Sequence, residues 1–252
     1  MGMSEISTSS GQSQVCQGPR IAVVAALERE VAPLIRNWKA RVAESSGRKY
    51  RLFENGNVTL VCGGIGSEAA RRTTEAVIRE TKPSRIVSVG FAGALDATLR
   101  VADVLEPRTV IDAQDGSRTD TGHGEGMLVS FASVAGRDQK ERLRKAYAGA
   151  AAVDMEAAAV AHGAESRSVA FHAVKAVSDA SSFDMPDMRQ FVSSEGEFRT
   201  GKFALHVAIR PWLWRSTISL ARNSRKASRA LCAALEKLLV RMQEETPMKE
   251  VL

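Results

Sequence analysis

Four short apolar runs constrain this chain more than any other feature: "AVVAAL" at residues 22–27, "TLVC" at 59–62, "IVSV" at 86–89 and "AVKAV" at 173–177. Each is apolar at nearly every position and rich in β-branched residues, the pattern of a strand covered on both faces. Between them the period changes. Val31, Leu34 and Ile35 recur at helical spacing, and "SEAARRTTEAVIRE" at 67–80 predicts a helix with Ser67 as its N-cap. "RDQKERLRKAYAG" at 137–149 predicts an exposed helix, and an alanine-rich helix begins near Glu156. "YRLFENGNVTLVCGGIG" reads as strand, Asn55-Gly56 turn and strand. A glycine-containing loop is expected after Gly90 and a polar turn over 113–126. Buried strands alternating with helices predict an α/β fold, a three-layer α-β-α sandwich around a mixed, twisted central sheet.

With 252 residues and 44% hydrophobic content the chain can bury one sizeable core, so a single domain is expected over residues 20–246. Residues 1–19 are Ser/Gln/Gly-rich without periodicity and read as a disordered leader. No apolar run reaches the roughly 18 residues of a membrane span, and no charged-then-apolar secretion signal opens the chain. A soluble, cytoplasmic protein is expected. Cys16, Cys62 and Cys232 are odd in number and lack metal-type spacing, which argues against disulfides and zinc. The formal charge of +6 is concentrated near the C-terminus, where ten basic residues between Arg199 and Arg241 face one acid, Glu236. With Leu220, Leu231, Leu235, Leu238 and Leu239 at helical spacing, residues 203–243 read as a basic amphipathic helical region. Few aromatics interleave with these charges, so nucleic acid is not an expected partner.

The ends of the apolar runs carry groups that a core strand would not choose. Glu28 and Glu30 follow the first, Gly63, Gly64 and Gly66 the second, Gly90 and Gly93 the third, and Ser178 and Asp179 the fourth, while Glu156 follows "AAVDM". Ligands of such sheets gather where strands end, and carboxylates brought there from several strands can act as acid, base and hydroxyl acceptor. Each group also has a plainer reading. Asp154 and Glu156 can cap the alanine helix, Asp179 can close a turn, and Val134, Ala135 and Met155 can belong to the core. Phe91 can be a core plug, and no catalytic duty is assigned to His123, His162, His172 or His206.

Taken together, "IAVVAALEREV", "LVCGGIGSEAA", "IVSVGFAGALDATLRVADVL", "AVDMEAAAVAH" and "VKAVSDASS" resemble, in order and spacing, the nucleoside phosphorylase and nucleosidase superfamily. The 5'-methylthioadenosine/S-adenosylhomocysteine nucleosidases are the nearest likeness. The resemblance implies Glu30 as general base for an attacking water, with Glu28 the alternative. It implies Met155 packing on a ribose, Glu156 accepting from the ribose hydroxyls, and the family's Ser-Asp pair at Ser178, a substrate contact, and Asp179, the general acid at purine N7. Loss of adenine needs a proton on the leaving base, and the oxocarbenium-like sugar gains from carboxylate charge, so these roles are chemically coherent.

The departures from the family pattern matter equally. Gly90-Phe91-Ala92-Gly93 lacks the hydroxyl of the family's turn, Lys175 stands in place of an arginine as an anion contact, and Val134 is smaller than the family's stacking aromatic. Phe91, Gly93 and Val134 are accordingly expected to line the pocket. The region 110–126 is shorter than the family norm, and with "DMPDMRQFV" and "RPWLWR" this resembles the hopanoid-associated branch, which implies adenosylhopane-type substrates and a C-terminal region, with Trp212 and Trp214, that rests on a membrane. Hydrolysis is expected first, because Glu30 occupies the base position and no evident arginine set cradles phosphate. Phosphorolysis and a nucleoside-binding protein without catalysis stay open. A homodimer is implied, and no metal or other cofactor.

Overall fold

The computed structural model of the chain describes residues 19–183 and 214–244. Residues 1–18 of the expected leader, "DMPDMRQFV" and Trp212 lie outside the described residues, as does the side chain of Trp214. In chain order the elements are β1 (Ile21–Ala25), α1 (Glu28–Ile35), β2 (Lys39–Ser45), β3 (Arg48–Asn55), β4 (Val58–Cys62), α2 (Ser67–Thr81), β5 (Arg85–Ala94) and β6 (Val104–Leu105). They continue with β7 (Thr109–Asp112), β8 (Arg118–Asp120), β9 (Met127–Ser130), α3 (Arg137–Ala146), β10 (Ala150–Asp154), α4 (Ala157–Glu165), β11 (Ala170–Asp179) and α5 (Trp214–Glu244).

The four apolar runs are the parallel centre of one mixed sheet. β1 lies between β4 and β5, and β5 runs parallel to β11 on its other side. The strands alternate between two covered faces. Ile21, Val23, Val87, Val89, Val174 and Ala176 meet Val31, Leu34, Leu231, Leu235 and Leu238 of α1 and α5. Ala22, Val24, Ile86 and Ala173 meet Val77, Ala157, Ala161 and Ala164 of α2 and α4. Both faces bury apolar area, worth about 1.5–3 kcal/mol for each large aliphatic side chain, so the expected three layers form. A third cluster of Leu95, Ile111, Val129, Leu143 and Val153 joins α3 to the strands at the other end of the sheet.

Several local expectations change. Ser67 is the first residue of α2, and the cap position belongs to Gly66 at φ 95°. The hairpin pairs Asn55 with Val58, so its two-residue loop is Gly56-Asn57, one position later than the Asn-Gly signal suggests. β2 is an edge strand the apolar pattern did not announce, because its side chains are largely exposed. β5 continues past Gly90 to Ala94 where a loop is expected. Sheet hydrogen bonds to β10 and β11 hold this glycine-containing end extended. Pro33 inside α1 has no N–H to give the Arg29 carbonyl, and the Ser228 hydroxyl of α5 donates to that oxygen at 3.3 Å.

Candidate active site

The sheet opens at the carboxyl end of β5. Its first half lies against β1, whereas Gly93 and Ala94 pair antiparallel with β10, so the strand changes neighbours. A crevice at such a switch point is where α/β sheets bind ligands. Here it is a cleft of about 670 Å³, lined by Glu30, Phe91, Gly93, Val134, Met155 and Glu156 and, deeper, by Ser178, Asp179 and Lys140. The lining includes every catalytic and substrate-contacting position expected from the sequence except Lys175.

Glu30 sits in the first turn of α1 and is 6% exposed. Its Oε2 accepts from the Leu27 amide at 3.2 Å. Burial raises its pKa above the ordinary glutamate value, with the Leu27 amide and the Lys175 ammonium pulling the other way. A carboxylate with raised proton affinity is a better base near neutral pH. Glu28 is exposed and faces Arg51 at 3.3 Å, so of the two acids only Glu30 reaches the cleft.

Asp154 and Glu156 divide two tasks. Asp154 Oδ2 accepts from the Ala157 amide at 2.9 Å, and Ser130 Oγ accepts from the Ala158 amide at 2.9 Å. These bonds satisfy orphan donors at the start of α4. Asp154 Oδ1 also takes the Ser130 hydroxyl at 2.6 Å, and its Oδ2 lies 2.8 Å from Lys175 Nζ. Both members of that ion pair are fully buried, and Lys175 donates further to Ser88 Oγ at 3.1 Å. The expectation of Lys175 as an anion contact in the pocket is therefore corrected: it lies beneath the floor as the counter-ion of Asp154. Burial disfavours its ammonium, yet Asp154, Glu156 and Glu30 outweigh this and its pKa is raised.

With the helix start served by Asp154 and Ser130, the Glu156 carboxylate turns to the cleft. Its Oε1 accepts from Gly66 N at 2.8 Å. Burial first, and then the charge of Asp154, push its pKa up to about 7.

Asp179, at the end of β11, takes the Ser178 hydroxyl on Oδ1 at 2.6 Å and the Lys140 ammonium on Oδ2. Lys140 also donates to the Ala180 carbonyl at 2.7 Å. This lysine is 2% exposed, although its helix reads as solvated in sequence. Only the spacing of Lys140 and Leu143, one turn apart as the two buried residues of α3, hints at an inward face. Gly93 makes room for the pair: a Cβ there would stand 2.9 Å from Lys140 Cε and 3.1 Å from Asp179 Oδ2.

A second feature escaped sequence reading. Arg29 of α1, Arg36 just after it, and Arg225 and Arg229 of α5 line the cleft together. The two pairs lie almost two hundred residues apart in the chain, so no local motif announces that arginines share this wall. Among the described residues no group of histidine, cysteine and acidic side chains is arranged to hold a metal ion.

A family model described as the phosphorylase superfamily matches residues 20–147. A 5'-methylthioadenosine/S-adenosylhomocysteine nucleosidase of Staphylococcus aureus (strain JH9) is 28% identical over 197 residues, covering 63% of this chain and 86% of its own. Among solved structures, a nucleosidase of the same description from Colwellia psychrerythraea 34H, in complex with adenine, superposes with a TM-score of 0.68 at 17% identity, over 92% of this chain and 99% of that one. The native futalosine hydrolase of Helicobacter pylori strain 26695 gives 0.65 at 17% identity, over 88% and 98%. At these identities the structural likeness establishes the fold.

Proposed function

Because the chain belongs to the phosphorylase superfamily, we propose that it is an N-glycosidase that hydrolyses the bond between adenine and the ribose of an adenosine derivative. The observation that carries this reading is the convergence of Glu30, Glu156 and Asp179, from three separate strand ends, on one cleft. Glu30, buried and raised in proton affinity, takes a proton from the attacking water. Glu156 accepts from the ribose hydroxyls with Met155 against the sugar, and the two carboxylates stabilise the positive charge that grows on the ring. The Asp179 and Lys140 end holds the leaving base and supplies its proton. The relatives of nucleosidase description support adenine as that base.

Phosphorolysis is the second reading, favoured by the arginines on the cleft wall, because guanidinium groups suit phosphate. The 5' substituent extends toward α5, where Leu220 and Ala221 line the cleft; this supports a large apolar group of the adenosylhopane type. With such a substrate, contact of the basic C-terminal region with a membrane completes the reading, together with a cytoplasmic homodimer.

The test is release of free base from methylthioadenosine, adenosylhomocysteine, adenosine and inosine, with and without phosphate. Phosphate-independent adenine release is expected, falling by about 10²- to 10⁴-fold in Glu30→Gln. Strict phosphate dependence would establish the phosphorylase, and tight binding without turnover a binding protein.

A further inference from the structure

We propose that Lys140 is the direct proton donor to N7 of the leaving adenine, with Asp179 beside it as the acceptor for the 6-amino group; this rests on the glycosidase reading above. Asp179 has no oxygen left as a ready donor. Its Oδ1 receives the Ser178 hydroxyl and its Oδ2 the Lys140 ammonium, so both oxygens act as acceptors in the fold. Lys140 is the opposite case. An ammonium has three N–H bonds and no acceptor, and two of them are used, by Asp179 and by the Ala180 carbonyl. Among the described residues the third meets no partner, and the cleft that Lys140 lines is open to it.

The burial of Lys140 is purposeful in its surroundings. Glu141, Arg144 and Lys145 of the same helix stay on the surface in pairs with one another. Lys140 alone among the charged residues of α3 is carried inside, into space that Gly93 leaves open. The cleft wall thus presents an N–H donor and a carboxylate acceptor side by side. That pattern complements one edge of adenine, where N7 accepts and the 6-amino group donates; a 6-oxopurine offers two acceptors there and would leave Asp179 opposite an oxygen.

In the step itself the C1'–N9 bond breaks and its electron pair passes into the base. The Nζ–H bond of Lys140 breaks as N7–H forms, which leaves a neutral amine held by Asp179 and Ala180. Solvent returns the proton once adenine has left. The Asp179 oxygens stay acceptors of the Ser178 and Lys140 hydrogen bonds throughout.

The experiment compares wild type, Lys140→Met and Lys140→Arg on adenosine or methylthioadenosine and on 4-nitrophenyl riboside, whose leaving group departs without protonation. For Lys140→Met, kcat on the adenine nucleoside is expected to fall about 10²- to 10⁴-fold, the usual worth of a general acid. Cleavage of the nitrophenyl riboside should fall only a few-fold, which also reports that the variant is folded. Lys140→Arg should keep binding of the adenine nucleoside yet lose turnover, since a guanidinium holds its protons too firmly. Equal losses on both substrates would reduce Lys140 to packing, and an unchanged rate on the adenine nucleoside would return the proton to Asp179; either overturns the proposal while leaving the glycosidase intact. A wild-type protein that cleaves neither substrate overturns both readings.

Discussion

Glu156 is available to a ligand only because its neighbours serve the helix that follows it. Asp154 and Ser130 satisfy the first amides of α4, and Lys175 neutralises Asp154 from below. Glu156 is left half-buried beside that acid, with its pKa pushed up to about 7. The folded protein therefore holds a proton that the unfolded chain releases near the ordinary value of 4.5. This group's contribution to stability is complete below that value and is lost as the pH rises to about 7, at up to about 1.4 kcal/mol per pH unit. Glu156→Gln should flatten that part of the stability profile, measured by urea unfolding at a series of pH values. An identical slope in the variant would show that Glu156 does not hold the proton. The acids at 154 and 156 are legible in sequence, and so is the capping duty of Asp154. That one serves the helix and the other the cleft depends on Ser130 and Lys175, which only the sheet brings close.

At the scale of elements, the alanine helix shows why a side-chain-poor segment follows the site. α4 packs against α2 so closely that a Cβ on Gly163 would stand 2.6 Å from Thr74 Cγ2. Gly163→Ala gains about 1 kcal/mol of helix propensity, but overpacking costs about 1–3 kcal/mol, so a net loss of stability is expected. In a Thr74→Ala background the same change should instead stabilise, because the methyl in its way is gone. Thr74 Oγ1 has no hydrogen-bond partner among the described residues, so its removal breaks none. Thermal unfolding of the four proteins in this cycle decides the matter, and additive effects would show that the two helices do not press on each other there. Small residues at 157–164 are plain in the sequence; their partner helix, some ninety residues earlier, is not.

The whole molecule depends on α5 twice, since it closes one face of the sheet and walls the cleft. Leu231 and Leu235 are fully buried against β1, β5 and β11, while Leu220, Ser224 and Arg225 line the site. Leu235→Ala should cost about 2–5 kcal/mol, read as a lower urea midpoint, and a loss under 1 kcal/mol would mean that the helix is dispensable to the core. Periodicity in the chain determined the layers, because consecutive apolar residues demand two covers and the helical stripes supply them. Strand-end chemistry likewise marked Glu28, Glu30, Glu156 and Asp179 as candidates, since charged groups directly after buried strands are costly unless they have work there, while the preference for Glu30 over Glu28 came from the family resemblance. Tertiary structure alone decided that Lys175 is a buried counter-ion, that Lys140 of a charged helix meets Asp179, and that arginines from α1 and α5 share one wall. Those outcomes join residues far apart in the chain, and a contact of that kind is set by packing geometry that no local pattern encodes.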